Sequence, residues 1–248
     1  MAHPTALTVA GSDSGGGAGI QADLKTFLAR GVYGMSVVTA VTAQDTRGVH
    51  AVHLVPPEVV RAQLRAVLGD FPVGAVKIGM LGDAARIDAV ADVLEALPSR
   101  PPIVLDPVMV AKGGAPLLDP DAVRALRARL VPLATLVTPN VPEADALGAL
   151  QGAVLRKGGH APGDVVEDRL EVDGCIVRRW THPRVASRNT HGTGCTLAAC
   201  IAAELARGGT LEDACGRAVD WVAALIAGSR TSFGSGHGPL LHGLVATG

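Results

Sequence analysis

The sequence predicts an α/β fold, a three-layer αβα sandwich with a mainly parallel central sheet. Three observations carry that expectation. Short apolar runs of strand length alternate with longer amphipathic patterns of helix length along most of the chain, the layout of strands joined by helical crossovers. Apolar residues make up 48% of the 248 and aromatics only 2%, so an ample core must be built from Ala, Val and Leu. Polar residues and glycines gather where the apolar runs end, and open α/β sheets place their ligands at such ends. No linker, low-complexity tract or internal repeat interrupts the pattern, so residues 1–248 are read as one domain.

Residues 7–10 form the first apolar run, which ends in Gly11-Ser12-Asp13-Ser14-Gly15-Gly16-Gly17-Ala18-Gly19. A helical pattern over 20–30 follows and stops at Gly31. Five glycines in nine residues exceed what one turn needs and predict close backbone approach to a ligand. The plain alternative is a turn whose glycines only permit positive φ. Neither G-x-G-x-x-G nor G-x-x-x-x-G-K-[ST] occurs, which argues against a dinucleotide fingerprint or a P-loop.

The β-branched run 35–41 reads as a buried strand, with Gln44, Asp45, Thr46 and Arg47 crowding its exit. Those residues are placed either for a ligand or for ordinary turn chemistry. His50 and His53 read as lying on a polar turn. Pro57 opens a helix with apolar positions at 60, 64, 67 and 68. Residues 75–81 are the third strand, and 84–97 a helix closed by Pro98.

The strand 103–108 carries Asp106 near its exit, and a Gly113-Gly114 loop and a helix over 120–130 follow. Strand 134–137 leads into Asn140, and a short helix over 142–150 carries Glu143 in its first turn, where a carboxylate also simply suits the helix dipole. Strand 153–156 presents Lys157 beside two glycines; a lysine there is also an ordinary solvated end. Residues 164–184 read as a β-hairpin around Asp173-Gly174. Two helices follow, one ending near 207 and one spanning about 210–228. The tail 234–239 reads as a flap or a loose end.

Asn189-Thr190-His191-Gly192-Thr193-Gly194-Cys195-Thr196 precedes an Ala-rich apolar run. A glycine turn feeding a helix start exposes unpaired N–H groups and partial positive charge, so it can hold an anion. A thiol there would gain thiolate character from the same dipole. An ordinary helix cap with Cys195 as packing filler is the other reading. The carboxylates, Lys157 and the glycine loop elsewhere favour the anion site, because together they supply the parts of a phosphoryl transfer.

Composition excludes several classes. A net charge of −1 leaves no electrostatic footprint for nucleic acid or an anionic membrane, and the eight histidines are too scattered to suggest a metal cage. Cysteines at 175, 195, 200 and 215 form no Cys-x-x-Cys pair, so neither a zinc knuckle nor a disulfide framework is expected. No apolar run is long enough to span a bilayer, and no signal stretch opens the chain. A cytoplasmic protein is the expectation.

Seven motifs, in order along the chain, resemble those of hydroxymethylpyrimidine/phosphomethylpyrimidine kinases of thiamin biosynthesis, in the ribokinase superfamily. They are residues 11–25, 42–46, 77–81, 106–112, 138–140, 157–160 and 189–196. The resemblance implies a ribokinase-like fold and ATP- and Mg²⁺-dependent phosphorylation of 4-amino-5-hydroxymethyl-2-methylpyrimidine, then of its monophosphate. It implies that Gly11, Ala18, Asp23, Gln44, Met80 and Val108 line the pyrimidine site. Asp106 and Glu143 would act through Mg²⁺, and Asn140, Lys157 and His191 would face ATP. The Gly192, Thr193 and Gly194 amides would form the anion hole, and Cys195 would accept the substrate's proton. A homodimer is implied by the same resemblance. The rival readings are a pyridoxal-type kinase of the superfamily and a non-catalytic pyrimidine-binding homologue.

One departure stands out. Members of that family usually carry an extra helix before the strand matching 153–156, whereas only 12 residues separate Asn140 from Ala153 here. That is near the minimum of about 10–12 for a crossover. One helix is therefore expected to be missing between residues 150 and 153, with the short helix alone making the crossover.

Overall fold

The computed structural model describes residues 3–110, 114, 117–159, 161–230 and 233–243. Its strands are β1 (Thr5–Asp13), β2 (Tyr33–Gln44), β3 (Val49–Leu54), β4 (Ala75–Ile78), β5 (Ile103–Leu105), β6 (Leu136–Val137), β7 (Ala153–Arg156), β8 (Val165–Val172) and β9 (Cys175–Pro183). The helices are α1 (Gly19–Ala29), α2 (Pro57–Asp70), α3 (Ala84–Glu95), α4 (Pro120–Ala125), α5 (Val141–Leu147), α6 (Thr193–Ala206) and α7 (Leu211–Gly228). All nine strands form one sheet in the order β3-β2-β1-β4-β5-β6-β7-β8-β9. The six from β2 to β7 run parallel, and β3, β8 and β9 pair antiparallel at the two edges.

Strand alternation divides the core in two. Leu7, Val9, Val76, Ile78, Ile103 and Leu105 face one helix layer, in which Val60, Leu64, Ile87 and Leu126 are buried. Ala6, Ala75 and Val104 face the other, made by α1, α6 and α7. Because side chains alternate along a strand, Thr8, Lys77 and Asp106 take this second side. Residues 197–203 of α6 are all buried, and their small side chains let that helix lie against the sheet.

Three sequence expectations need correction. His50 and His53 sit in edge strand β3, not on a turn. The turn before it is made by Asp45, whose carboxylate accepts from the backbone N–H groups of Arg47 and Gly48. Most of β3 is solvent-exposed, so no buried-strand pattern marks it. The helix expected over 120–130 changes register after Ala125 into a π turn, Leu126–Leu130, and a 3₁₀ turn, Val131–Leu133. Pro132 cannot donate the next helical bond, which accounts for that ending. The tail is not a loose end: the His237 N–H donates to the Thr46 carbonyl, and Gly238 N–H to that of Arg188. Of the Gly113-Gly114 loop only Gly114, at φ 85, lies within the described residues.

The short crossover is as expected. α5 alone joins β6 to β7, closed by Gly148 at φ 67, with no second helix in residues 141–152. The hairpin turn also falls where expected, with Asp173 and Gly174 both at positive φ as a type I′ turn requires. Among the described residues no helix is long and apolar enough to cross a membrane.

The tail also seals α6 from below. His242 is buried, and the Thr196 hydroxyl lies 2.9 Å from its Nε2. Burial pushes the imidazole down to about 4. The unfolded chain therefore binds a proton between about pH 6.5 and 4 that the folded chain refuses, so stability falls as pH drops through that window. The full effect is about 3 kcal/mol. The wild-type Tm is expected to fall more between pH 7 and 4.5 than that of His242→Gln, measured by calorimetry. Parallel Tm–pH curves for the two proteins would remove the assignment.

Candidate active site

A cavity of about 750 Å³ opens over the ends of the parallel strands and reaches α6 and α7. Asp13 organises one wall of it. Its carboxylate accepts from the N–H groups of Gly15, Gly17 and Ala18 at 2.8, 3.0 and 2.8 Å, and lies 2.9 Å from His191 Nε2. Burial alone would raise this carboxyl, but the His191 ring and the loop amides outweigh it and hold it below its usual value.

The glycine loop and the turn before α6 interlock. A Cβ on Gly192 would run into the Gly17 carbonyl oxygen, one on Gly17 into the His191 ring, and one on Gly19 into the Gly11 carbonyl. Close backbone approach was expected toward a ligand; at Gly17, Gly19 and Gly192 it is backbone against backbone or ring. Gly192 also sits at φ 77. Gly192→Ala is expected to cost roughly 2–4 kcal/mol, from left-handed strain plus overpacking, and most of the activity. Thermal unfolding tests this, and a variant with unchanged Tm would mean that the two loops part freely.

Of the residues expected at the pyrimidine site, Gly11, Ala18, Gln44, Met80 and Val108 all line the cavity. Gln44 is tied into the wall by a reciprocal pair with Ser14, whose hydroxyl donates to the Gln44 carbonyl and accepts from its N–H. Asp23 is not on the wall. It is fully buried beneath it, where it accepts from Thr8 Oγ1 at 2.6 Å and Lys77 Nζ at 2.8 Å. His191, expected beside ATP, lines the cavity and packs against Asp13 and Gln44, with 3.3 Å between His191 Nε2 and Gln44 Nε2. The Asn-Thr-His-Gly spacing carries no information about that partner.

The opposite wall holds the charged groups. Asp106 follows β5 and Lys157 follows β7, on either side of β6, and the parallel strands carry both to one end of the sheet, where their side chains meet at 2.7 Å. Asn140 and Glu143 form a capping box at the start of α5, each side chain accepting from the other's backbone N–H. That box turns Glu143 inward, with Oε2 3.7 Å from Lys157 Nζ. Burial pushes the Glu143 carboxyl up against the pull of Lys157. Burial works against the Lys157 ammonium, but Asp106 and Glu143 outweigh it and keep it charged.

Two carboxylates offer the hard oxygen donors that Mg²⁺ takes alongside waters and phosphate oxygens. Asp106 and Glu143 fit that pattern, with Lys157 between them. Among the described residues no group of three or more His, Cys, Asp or Glu makes a fuller cage.

Gly192, Thr193, Gly194 and Cys195 line the cavity where α6 begins, with Gly192 as the helix N-cap. A Cβ on Gly194 would meet Lys157 Nζ at 3.4 Å and Asp106 Oδ2 at 3.6 Å, so the turn adjoins the charged wall. The expectation that the helix start lowers the Cys195 thiol is overturned. Burial pushes it up to about 11, and the opposing field of Lys77 is too weak to reverse that. Gly192, Thr193 and Gly194 line the cavity at this helix start, while burial favours the protonated thiol of Cys195.

Asp13 and Lys77 were missed from the sequence. Lys77 had a signal, a lysine inside the apolar run Ala75-Val76-Lys77-Ile78. Asp13 had none beyond its place in a glycine turn.

Known proteins resemble this chain along most of its length. The family model described as phosphomethylpyrimidine kinase matches residues 13–152 and 148–241. The hydroxymethylpyrimidine/phosphomethylpyrimidine kinase of Haemophilus influenzae is 48% identical over 260 aligned positions, covering 95% of each chain. Among solved structures, an ADP complex of Bacillus subtilis pyridoxal kinase superposes with a TM-score of 0.89 at 34% identity, over 98% of both chains. The phosphomethylpyrimidine kinase of Clostridium difficile gives 0.75 at 38% identity, over 88% of this chain and 97% of that one.

Proposed function

This chain belongs to the phosphomethylpyrimidine kinase family, and from that membership we propose how its cavity works. It is a kinase of hydroxymethylpyrimidine and its monophosphate, in thiamin biosynthesis. It uses ATP, in keeping with the nucleotide held by its structural neighbour. The observation that carries the site assignment is that one cavity contains both the α6 anion turn and the Asp106–Lys157–Glu143 cluster.

In this reading the pyrimidine lies against Gly11, Ala18, Met80 and Val108. The Gln44 amide, which offers both a donor and an acceptor, pairs with its aminopyrimidine edge. The hydroxymethyl oxygen then points toward Cys195. Asn140 and Lys157 face the ATP phosphates, and the Gly192, Thr193 and Gly194 amides meet the transferring phosphoryl group as its charge spreads over the equatorial oxygens. Asp106 and Glu143 would hold Mg²⁺, which when bound neutralises phosphate charge. Cys195 receives the acceptor's proton. Only the thiolate form of Cys195 can take that proton, and in a loose transition state the proton leaves late, as the oxygen bonds to phosphorus.

A pyridoxal-type activity remains the second reading, favoured by the higher TM-score to a pyridoxal kinase. ATP consumption measured with hydroxymethylpyrimidine, its monophosphate and pyridoxal decides between them. Turnover of both pyrimidines is the expected result, and turnover of pyridoxal alone would reverse the ranking. Pyrimidine binding by calorimetry with no turnover would make the chain a non-catalytic binder. We further propose a cytoplasmic homodimer that engages neither nucleic acid nor membrane. A monomer in sedimentation would refute the dimer.

A further inference from the structure

Lys77 is out of place by every rule of sheet construction. It lies in β4, a strand paired in parallel on both sides, where buried apolar residues are the norm. Its side chain is fully buried, as is that of Asp23 on α1, and they are paired at 2.8 Å. Replacing such a pair with apolar residues is commonly neutral or stabilising, so stability alone does not explain its presence. Residues that break the local pattern without a stability gain are expected at working sites.

Position says what work this would be. Lys77 faces the α1 and α6 side of the sheet, the same side as Asp106, and is among the residues lining the cavity, as is Cys195. Gly79 leaves room for it, since a Cβ there would come within 2.7 Å of Nζ. Thr8 and Lys77 both donate to the same Asp23 oxygen, Oδ2, while Oδ1 is buried with no hydrogen-bond partner among the described residues. The pair is thus anchored on one carboxylate oxygen. Lys77 supplies the largest field favouring the Cys195 thiolate, whereas Asp23 and Asp106 oppose it.

We propose that Lys77, with Asp23 as its fixed counter-ion, stabilises the negative charge that develops between the acceptor oxygen and Cys195 during phosphoryl transfer. This rests on the kinase reading above and assigns its acceptor-side electrostatics. A preorganised cation in a water-poor site needs no reorganisation as the charge appears, which is why such groups outweigh their strength in water. Asp23 acts only through Lys77 and is a positioning residue.

The test removes the pair together, so that no unpaired charge is left buried. Lys77→Met/Asp23→Leu is expected to fold, to keep the substrate KM within a few-fold, and to lose about 10²–10³-fold in kcat, the loss typical of one electrostatic donor. Wild-type kcat in the folded double variant would overturn the proposal. A wild-type protein with no kinase activity would instead sink the kinase reading. A second measurement needs neither ATP nor turnover. Asp23→Asn keeps Lys77 but removes its counter-charge, so alkylation of Cys195 by iodoacetamide at pH 8 should quicken severalfold, read by mass spectrometry. An unchanged alkylation rate would overturn the proposal even if the double variant failed to fold.

Discussion

Cys195→Ala is expected to lower kcat by about 10²–10⁴-fold while leaving the pyrimidine KM nearly unchanged, the usual range for a positioned proton acceptor. The thiol lines the cavity beside the α6 turn and is pushed up to about 11 by burial. A base must be deprotonated to act, and well below that value its deprotonated fraction grows tenfold per pH unit. The wild-type kcat/KM should therefore climb between pH 7 and 9 if proton removal limits the rate. Cys195→Asp places an already ionised carboxylate there, so it should restore part of the activity and flatten the profile. Full activity in Cys195→Ala would strip the residue of the role. A wild-type profile as flat as that of the aspartate variant would place proton transfer after the rate-limiting step.

Lys157→Ala should lower kcat/KM for ATP by about 10²–10³-fold, through both a higher ATP KM and a lower kcat. The wall now holds two carboxylates and one ammonium, with Lys157 2.7 Å from Asp106 and 3.7 Å from Glu143. Removing the cation leaves Asp106 and Glu143 facing a polyanionic nucleotide and each other. Arginine should not rescue, because its planar fork does not replace a compact ammonium in a site this enclosed. Isothermal titration with a non-hydrolysable ATP analogue separates the outcomes. Unchanged nucleotide affinity with a lower Tm would reduce Lys157 to a structural strut.

Much of the site was legible because chemistry and position coincided in single motifs. Asp106, Asn140 and Lys157 each follow an apolar run, and parallel strands necessarily carry their C-terminal ends to one edge of the sheet. Gln44 follows from the same rule, Met80 and Val108 came with the family resemblance, and all three line the cavity. The partners of these residues were not legible. His191 sits two residues from the anion turn's centre in sequence, yet packs with Asp13 and Gln44. Asp23 came with the family resemblance as a wall residue, and the structure buries it under Lys77. β3 escaped because an edge strand exposed to solvent has no one-sided apolar pattern to read.

By itself the sequence determined the layered α/β architecture, the short β6–β7 crossover and the type of chemistry. These depend on local periodicity, chain length and the kinds of side chain at strand ends, which are properties of neighbours along the chain. Only the tertiary structure decided which glycine serves which backbone, which carboxylate answers which cation, and whether the Cys195 thiol is acidic. Those are decided by burial and by fields from groups distant in sequence. For Cys195, desolvation by the surrounding fold outweighs the helix start that its own sequence provides.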